Sequence, residues 1–172
     1  MAPHHRRQWC LQAGSLLLAA AAAPRALAAD ALANVPAVGT PLRLLDVPLL
    51  EGGDFKAAAA QGQVVVVYWW ASWCPFCAQV TPSIQKLWRA HREHGLMVLG
   101  LSIDKDLAAA RAYRSRRGYD FPSGWVSPAV EAVLPKPSGL PVTVVRGRDG
   151  RVAAAETGQL FPEDVEALAR FL

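Results

Sequence analysis

The sequence predicts one α/β domain built on a central mixed sheet flanked by helices, and three observations carry that prediction. Residues 64–70, Val-Val-Val-Val-Tyr-Trp-Trp, form an unbroken β-branched and aromatic run, the mark of a central strand buried on both faces. A helical pattern and a second apolar run follow it, and a strand, helix, strand order favours a right-handed crossover with parallel strands. Near the end, residues 142–146 and 152–157 flank Arg148-Asp149-Gly150, a turn signal that joins antiparallel strands.

Each element has its own local warrant. Residues 30–62 hold scattered glycine and proline between short apolar runs, which suits a hairpin ahead of the core. From residue 75 to about 93, Val80, Ile84, Leu87 and Trp88 recur at helical spacing, and His94-Gly95 supplies a stop. Residues 96–103 form the second buried strand. Residues 105–117 make another helix, closed by Gly118. Residues 121–126 are extended, and Ser127-Pro128 caps and starts a short helix reaching 134, because serine caps well and proline suits the first turn. Pro135, Pro137 and Gly139 then force a loop. Pro162, Glu163 and Asp164 open the last helix, with acids where its dipole favours them.

The chain has 172 residues, 52% of them hydrophobic, enough for one sizeable core, expected over residues 35–172. Arg6 and Arg7 precede an apolar stretch over 11–23, followed by Ala26-Leu27-Ala28. That order describes a signal peptide over residues 1–28, taken by the Sec or the twin-arginine route, with a linker at 29–34. Its apolar stretch of about 13 residues falls short of the ~20 that span a bilayer, so no stable membrane insertion is expected after cleavage. Loss of Arg6, Arg7 and Arg25 leaves 15 basic against 14 acidic residues, where the whole chain carries +4. So small a charge offers nothing to nucleic acid or an anionic membrane. The cluster of Arg111, Arg114, Arg116 and Arg117 reads as a solvated helix face.

Three cysteines are present. Cys10 leaves with the signal, and the other two form one Cys-x-x-Cys, Cys74-Pro75-Phe76-Cys77. Stapled secreted domains spread several cysteines along the chain, so this usage points to chemistry. A cysteine at a helix start meets unpaired N–H groups and the positive end of the dipole, which favour its thiolate. Cys74 is therefore the expected nucleophile. Cys77 lies one turn on and on the same face, within disulfide reach.

Trp69-Trp70-Ala71-Ser72-Trp73-Cys74-Pro75-Phe76-Cys77 after a valine-rich strand resembles the thioredoxin superfamily. Pro82 falls where that family kinks the helix, Gly158 precedes the terminal helix as it does there, and Gly139-Leu140-Pro141-Val142-Thr143 is similar to its cis-proline loop. The segment between Ile103 and Pro141, including Tyr119-Asp120-Phe121-Pro122, resembles the αβ insertion of the TlpA, ResA and CcmG group. The resemblance implies a thioredoxin fold, a cis Leu140–Pro141 bond and a periplasmic thiol:disulfide oxidoreductase that reduces protein disulfides through Cys74 and Cys77. It implies protein thiol or disulfide clients, an upstream thiol–disulfide electron donor, a monomer, and no cofactor or metal. Substrate contacts then fall to Trp73, Pro75, Phe76, Leu140 and Pro141. Two departures stand out. Tyr68 occupies the place of the superfamily's buried aspartate, which leaves proton transfer without an obvious owner; Asp104 is the candidate, with capping of the next helix as its other reading. Val142 replaces a frequent threonine, which predicts a more apolar substrate-facing surface.

Rival chemistries fit less well. Cys74, Cys77, His91 and His94 imitate zinc spacing, but a helix over 75–93 sets His91 roughly 20 Å from Cys77 against ligand bonds of about 2.0–2.3 Å. Copper delivery through the two thiolates and a DsbA-like thiol oxidase are the remaining alternatives. A peroxidatic cysteine needs Pro-x-x-x-Thr/Ser-x-x-Cys, and no proline stands in that place ahead of Cys74. Of the tryptophans, Trp69 or Trp70 belongs to the core and Trp73 to the site.

Overall fold

The computed structural model describes residues 33–172. The signal expected over 1–28, Cys10 and most of the 29–34 linker therefore lie outside the described residues. Among those described, no helix is long and apolar enough to cross a membrane.

The valine run becomes β3 (Val64–Trp70), every residue of which is buried. It pairs parallel with β4 (Leu96–Ser102) and antiparallel with β6 (Val142–Arg146). The outer strands are β5 (Ser123–Trp125), parallel to β4, and β7 (Val152–Thr157), antiparallel to β6. The resulting order is β5-β4-β3-β6-β7, the mixed sheet that the sequence predicts. Because strand side chains alternate, Val64, Val66, Tyr68 and Trp70 pack against one hydrophobic layer with Val80, Ile84 and Leu87. Val65, Val67 and Trp69 enter the other, with Phe55, Val130 and Leu134. Both tryptophans of β3 are thus core.

The N-terminal hairpin is β1 (Val47–Pro48) against β2 (Asp54–Phe55). It comes so close to β5 that a Cβ on Gly124 would strike Val47 and sit 2.9 Å from the Pro48 carbonyl oxygen; glycine is needed there. The first long helix, α1 (Pro75–His91), runs on through Pro82 and ends in a 3₁₀ turn, Arg92–His94, before left-handed Gly95 at φ 90°. Helix α2 (Leu107–Arg117) closes on Gly118 in the left-handed region. Its amino end is capped by Asp106, whose side chain accepts the Ala108 N–H at 2.9 Å. The capping role weighed for Asp104 belongs to Asp106, because helical geometry begins two residues later than that reading requires. The short α3 (Pro128–Glu131) stops before 134 and is capped by Ser127 as expected. The last helix, α4 (Pro162–Glu166), passes into a 3₁₀ turn, Ala167–Phe171.

The arginine cluster is not uniformly a solvated face. Arg116 and Arg117 are exposed, but Arg114 is 1% exposed. Its Nε donates to Glu51 at 2.5 Å and its Nη2 to the Phe121 carbonyl at 2.6 Å, while the guanidinium lies 4.6 Å from the Phe121 ring centroid. The buried stripe of α2 runs through Ala110, Tyr113 and Arg114, the i, i+3, i+4 set of one helix face. An arginine in that stripe has to carry its partners with it.

Candidate active site

Cys74 is the N-cap of α1, with extended backbone (φ −84°, ψ 114°) ahead of Pro75 in the first turn. Proline suits this place because its missing N–H would find no helical partner there. The Cys77 N–H donates to Cys74 Sγ at 3.1 Å, so the helix terminus directs a backbone donor at the sulfur. The two cysteines form a disulfide across a Cα separation of 5.2 Å.

Cys74 opens onto a groove of about 300 Å³ lined also by Trp73, Pro75, Phe76, Ile103 and residues 137–140. Cys77, 1% exposed, lies behind it and is not part of that lining. Trp73 is 65% exposed and Phe76 50%, and both flank the sulfur. The Leu140–Pro141 bond is cis. Leu140 reaches the groove, whereas Pro141 is buried behind it and its carbonyl accepts the Gly158 N–H at 2.8 Å. Val142 is 1% exposed and packs with Trp69 and Val67. The apolar surface expected from it is therefore absent from that position, because the first residue of β6 already points into the core.

A second bay of about 710 Å³ shares Trp73 and Ile103 with this groove and is bordered by Ser72, Asp104, Lys105, Asp106 and Lys136. Asp104 is 4% exposed. Its carboxylate accepts the Ser72 N–H at 3.1 and 3.2 Å, the Ser72 hydroxyl at 2.6 Å and the Ser102 hydroxyl at 2.7 Å. The Trp125 indole N–H donates to the Asp104 carbonyl at 2.7 Å. Asp104 is thus tied to the turn ahead of Cys74.

Beneath Cys77, at the place of the superfamily's aspartate, the Tyr68 hydroxyl lies 3.0 Å from Thr81 Oγ1 and 3.4 Å from the Cys77 carbonyl, which Thr81 also reaches at 2.6 Å. Burial pushes the Tyr68 phenol well above its ordinary range, so this is a neutral hydroxyl pair. Ser72 and Thr81 belong to this site through partners that lie elsewhere in the chain, Asp104 and Tyr68, and Ser102 through Asp104. Only Thr81 had a local signal, one helical turn beyond Cys77. His91 and His94 sit at the other end of α1 from the cysteines. Among the described residues no group of three or more His, Cys, Asp or Glu is placed to hold a metal ion.

Residues 38–155, which include both cysteines and the cis-proline loop, match the AhpC/TSA family. The chain belongs to the AhpC/TSA family. The soluble secreted antigen MPT53 of Mycobacterium tuberculosis is 28% identical over 106 residues, covering 62% of this chain and 54% of that protein. The thiol-disulfide oxidoreductase ResA of Geobacillus kaustophilus is 24% identical over 119 residues, covering 68% and 67%. This AhpC/TSA chain thus spans about half the length of the first relative and two thirds of the second. A thiol:disulfide interchange protein of the thioredoxin family from Chlorobium tepidum superposes with a TM-score of 0.72 at 20% identity, over 78% of this chain and 96% of that one. The fold of this family member is therefore the thioredoxin fold.

Proposed function

We propose that this chain is an exported, periplasmic thiol:disulfide oxidoreductase that reduces disulfides in protein clients, with residues 35–172 as its working domain and residues 1–28 as its export signal. One observation carries the reading: Cys74 is the helix N-cap and faces the groove, while Cys77 lies behind it. The Cys74 thiolate attacks one sulfur of a client disulfide, and the first client thiolate leaves and takes up a proton. Cys77 then loses its proton and attacks Cys74 Sγ, which releases the second client thiolate and closes the Cys74–Cys77 bond. A dithiol donor upstream returns two electrons and two protons. Trp73, Pro75, Phe76 and Leu140 form the apolar surround that receives the client, with Pro141, expected among these contacts, buried behind Leu140. The reaction calls for no cofactor. Export is supported by the signal pattern and by the description of MPT53 as secreted.

The direction of transfer follows from thiolate stability. A strongly oxidising pair is one whose reduced form is unusually stabilised, as in DsbA at about −120 mV with a nucleophile pKa near 3.5, against about −270 mV and ~7 for thioredoxin. Pro75 and Phe76 bring neither positive charge nor a side-chain donor to Cys74. Equilibration with glutathione buffers should give a potential below about −200 mV. A value close to that of DsbA would make the protein a thiol oxidase.

A further inference from the structure

We propose that Asp104 is a positioning residue for Cys74: its carboxylate holds Ser72, and with it the turn that presents Cys74, and its negative charge opposes the stabilisation that the helix end gives the thiolate. The inference deepens the reading of this site as a disulfide reductase and rests on it. The donors that surround the carboxylate, the Ser72 N–H and the hydroxyls of Ser72 and Ser102, are all neutral. Among the described residues no cation lies within ion-pair distance of it. Hydrogen bonds spread a charge without cancelling it, so the site keeps a buried negative charge next to the reactive turn. Ser72 stands two residues before Cys74, so their Cα atoms are at most about 7.6 Å apart. A negative charge bonded to the turn that carries a sulfur disfavours the thiolate of that sulfur.

The clamp also commits both Ser72 donors to Asp104, so neither is turned towards the sulfur. Among the described residues, no charged side chain lines the groove at Cys74. The adjoining bay carries Lys105, Asp106 and Lys136 besides Asp104, of which Asp106 caps α2 and Lys136 pairs with Glu131 at 3.1 Å. Tyr68, below the cysteines, is neutral. Among the described residues, Asp104 is thus the one negative charge bonded to the turn that carries Cys74.

The test follows the rate of Cys74 alkylation by iodoacetamide against pH in the reduced protein, together with the glutathione equilibrium. In that equilibrium two glutathione thiols give two electrons and two protons to the Cys74–Cys77 bond and become one glutathione disulfide. In Asp104→Asn the amide oxygen still accepts the Ser72 N–H and the amide nitrogen donates to a serine hydroxyl, while the charge is gone. The alkylation midpoint should fall by about half a unit or more, and the equilibrium should move about threefold or more towards the reduced protein. Ser72→Ala keeps the charge, removes one of the donors that disperse it and loosens the turn, so its midpoint should rise. An unchanged or raised midpoint in Asp104→Asn overturns the proposal, since loss of fold support alone would not favour the thiolate. Should that variant fail to fold, an unchanged or lowered midpoint in Ser72→Ala overturns it instead. The wild-type potential tests the reductase reading separately, because these midpoints require neither a client nor a direction of transfer.

Discussion

Cys74→Ser protein is expected to lose disulfide exchange by at least about 10³-fold, because removing a nucleophile that forms a covalent intermediate leaves no parallel route. Cys77→Ala should behave differently. It retains the groove-facing sulfur and its first attack, loses the resolving step, and accumulates a mixed disulfide through Cys74. The two outcomes separate because only Cys74 lines the groove while Cys77 is 1% exposed beneath it. Non-reducing electrophoresis and mass spectrometry of the trapped species read the result, and the trapped clients identify the substrates. Limiting iodoacetamide near neutral pH should likewise label Cys74 first in the reduced wild-type protein. Preferential labelling of Cys77, or trapping by Cys74→Ala in place of Cys77→Ala, would reverse the assignment of roles.

How far the sequence could be read depends on where each element finds its partners. The strand over 64–70 was legible because burial on both faces leaves seven consecutive apolar side chains, a pattern that an exposed segment does not sustain. Cys74 at a helix start was legible because the cap, Pro75 and the first turn are all local. The Ser72–Asp104–Ser102 clamp was not. It arises from the β3–β4 register, which sets Trp70 beside Ser102 and brings the ends of two strands together. No short window contains that pairing. Tyr68 shows the same limit from the other side: its mismatch with the superfamily's aspartate was visible, but the hydroxyl of Thr81 that meets it comes from the facing helix. Arg114 is ambiguous in sequence because helical periodicity marks position 114 as inward while residue type marks it as outward, and the tie is broken by Glu51 and Phe121, neither of which lies on its helix.

Arg114 is therefore where a stability change should be largest without any change in chemistry. An exposed helix arginine replaced by alanine costs at most a few tenths of a kcal/mol, since alanine is the better helix former. Arg114 instead donates to the Glu51 carboxylate and to the carbonyls of Tyr119 and Phe121, and its guanidinium covers the Phe121 ring. Hydrogen bonds that involve a charged group contribute about 1.5–3 kcal/mol each when one partner is lost from a buried site. Glu51 is half exposed in its side chain and regains water, whereas the Phe121 carbonyl has no such recourse, because Phe121 is fully buried. Arg114→Ala should then lower the free energy of unfolding by about 3 kcal/mol, read as a lower denaturant midpoint. The glutathione equilibrium of the folded protein should stay where it was, since these contacts join α2 to the segments at Glu51 and Phe121 and do not touch the turn at Ser72. A loss below about 0.5 kcal/mol would return Arg114 to the solvated face. A shifted redox equilibrium would instead show that the packing of α2 reaches the cysteines.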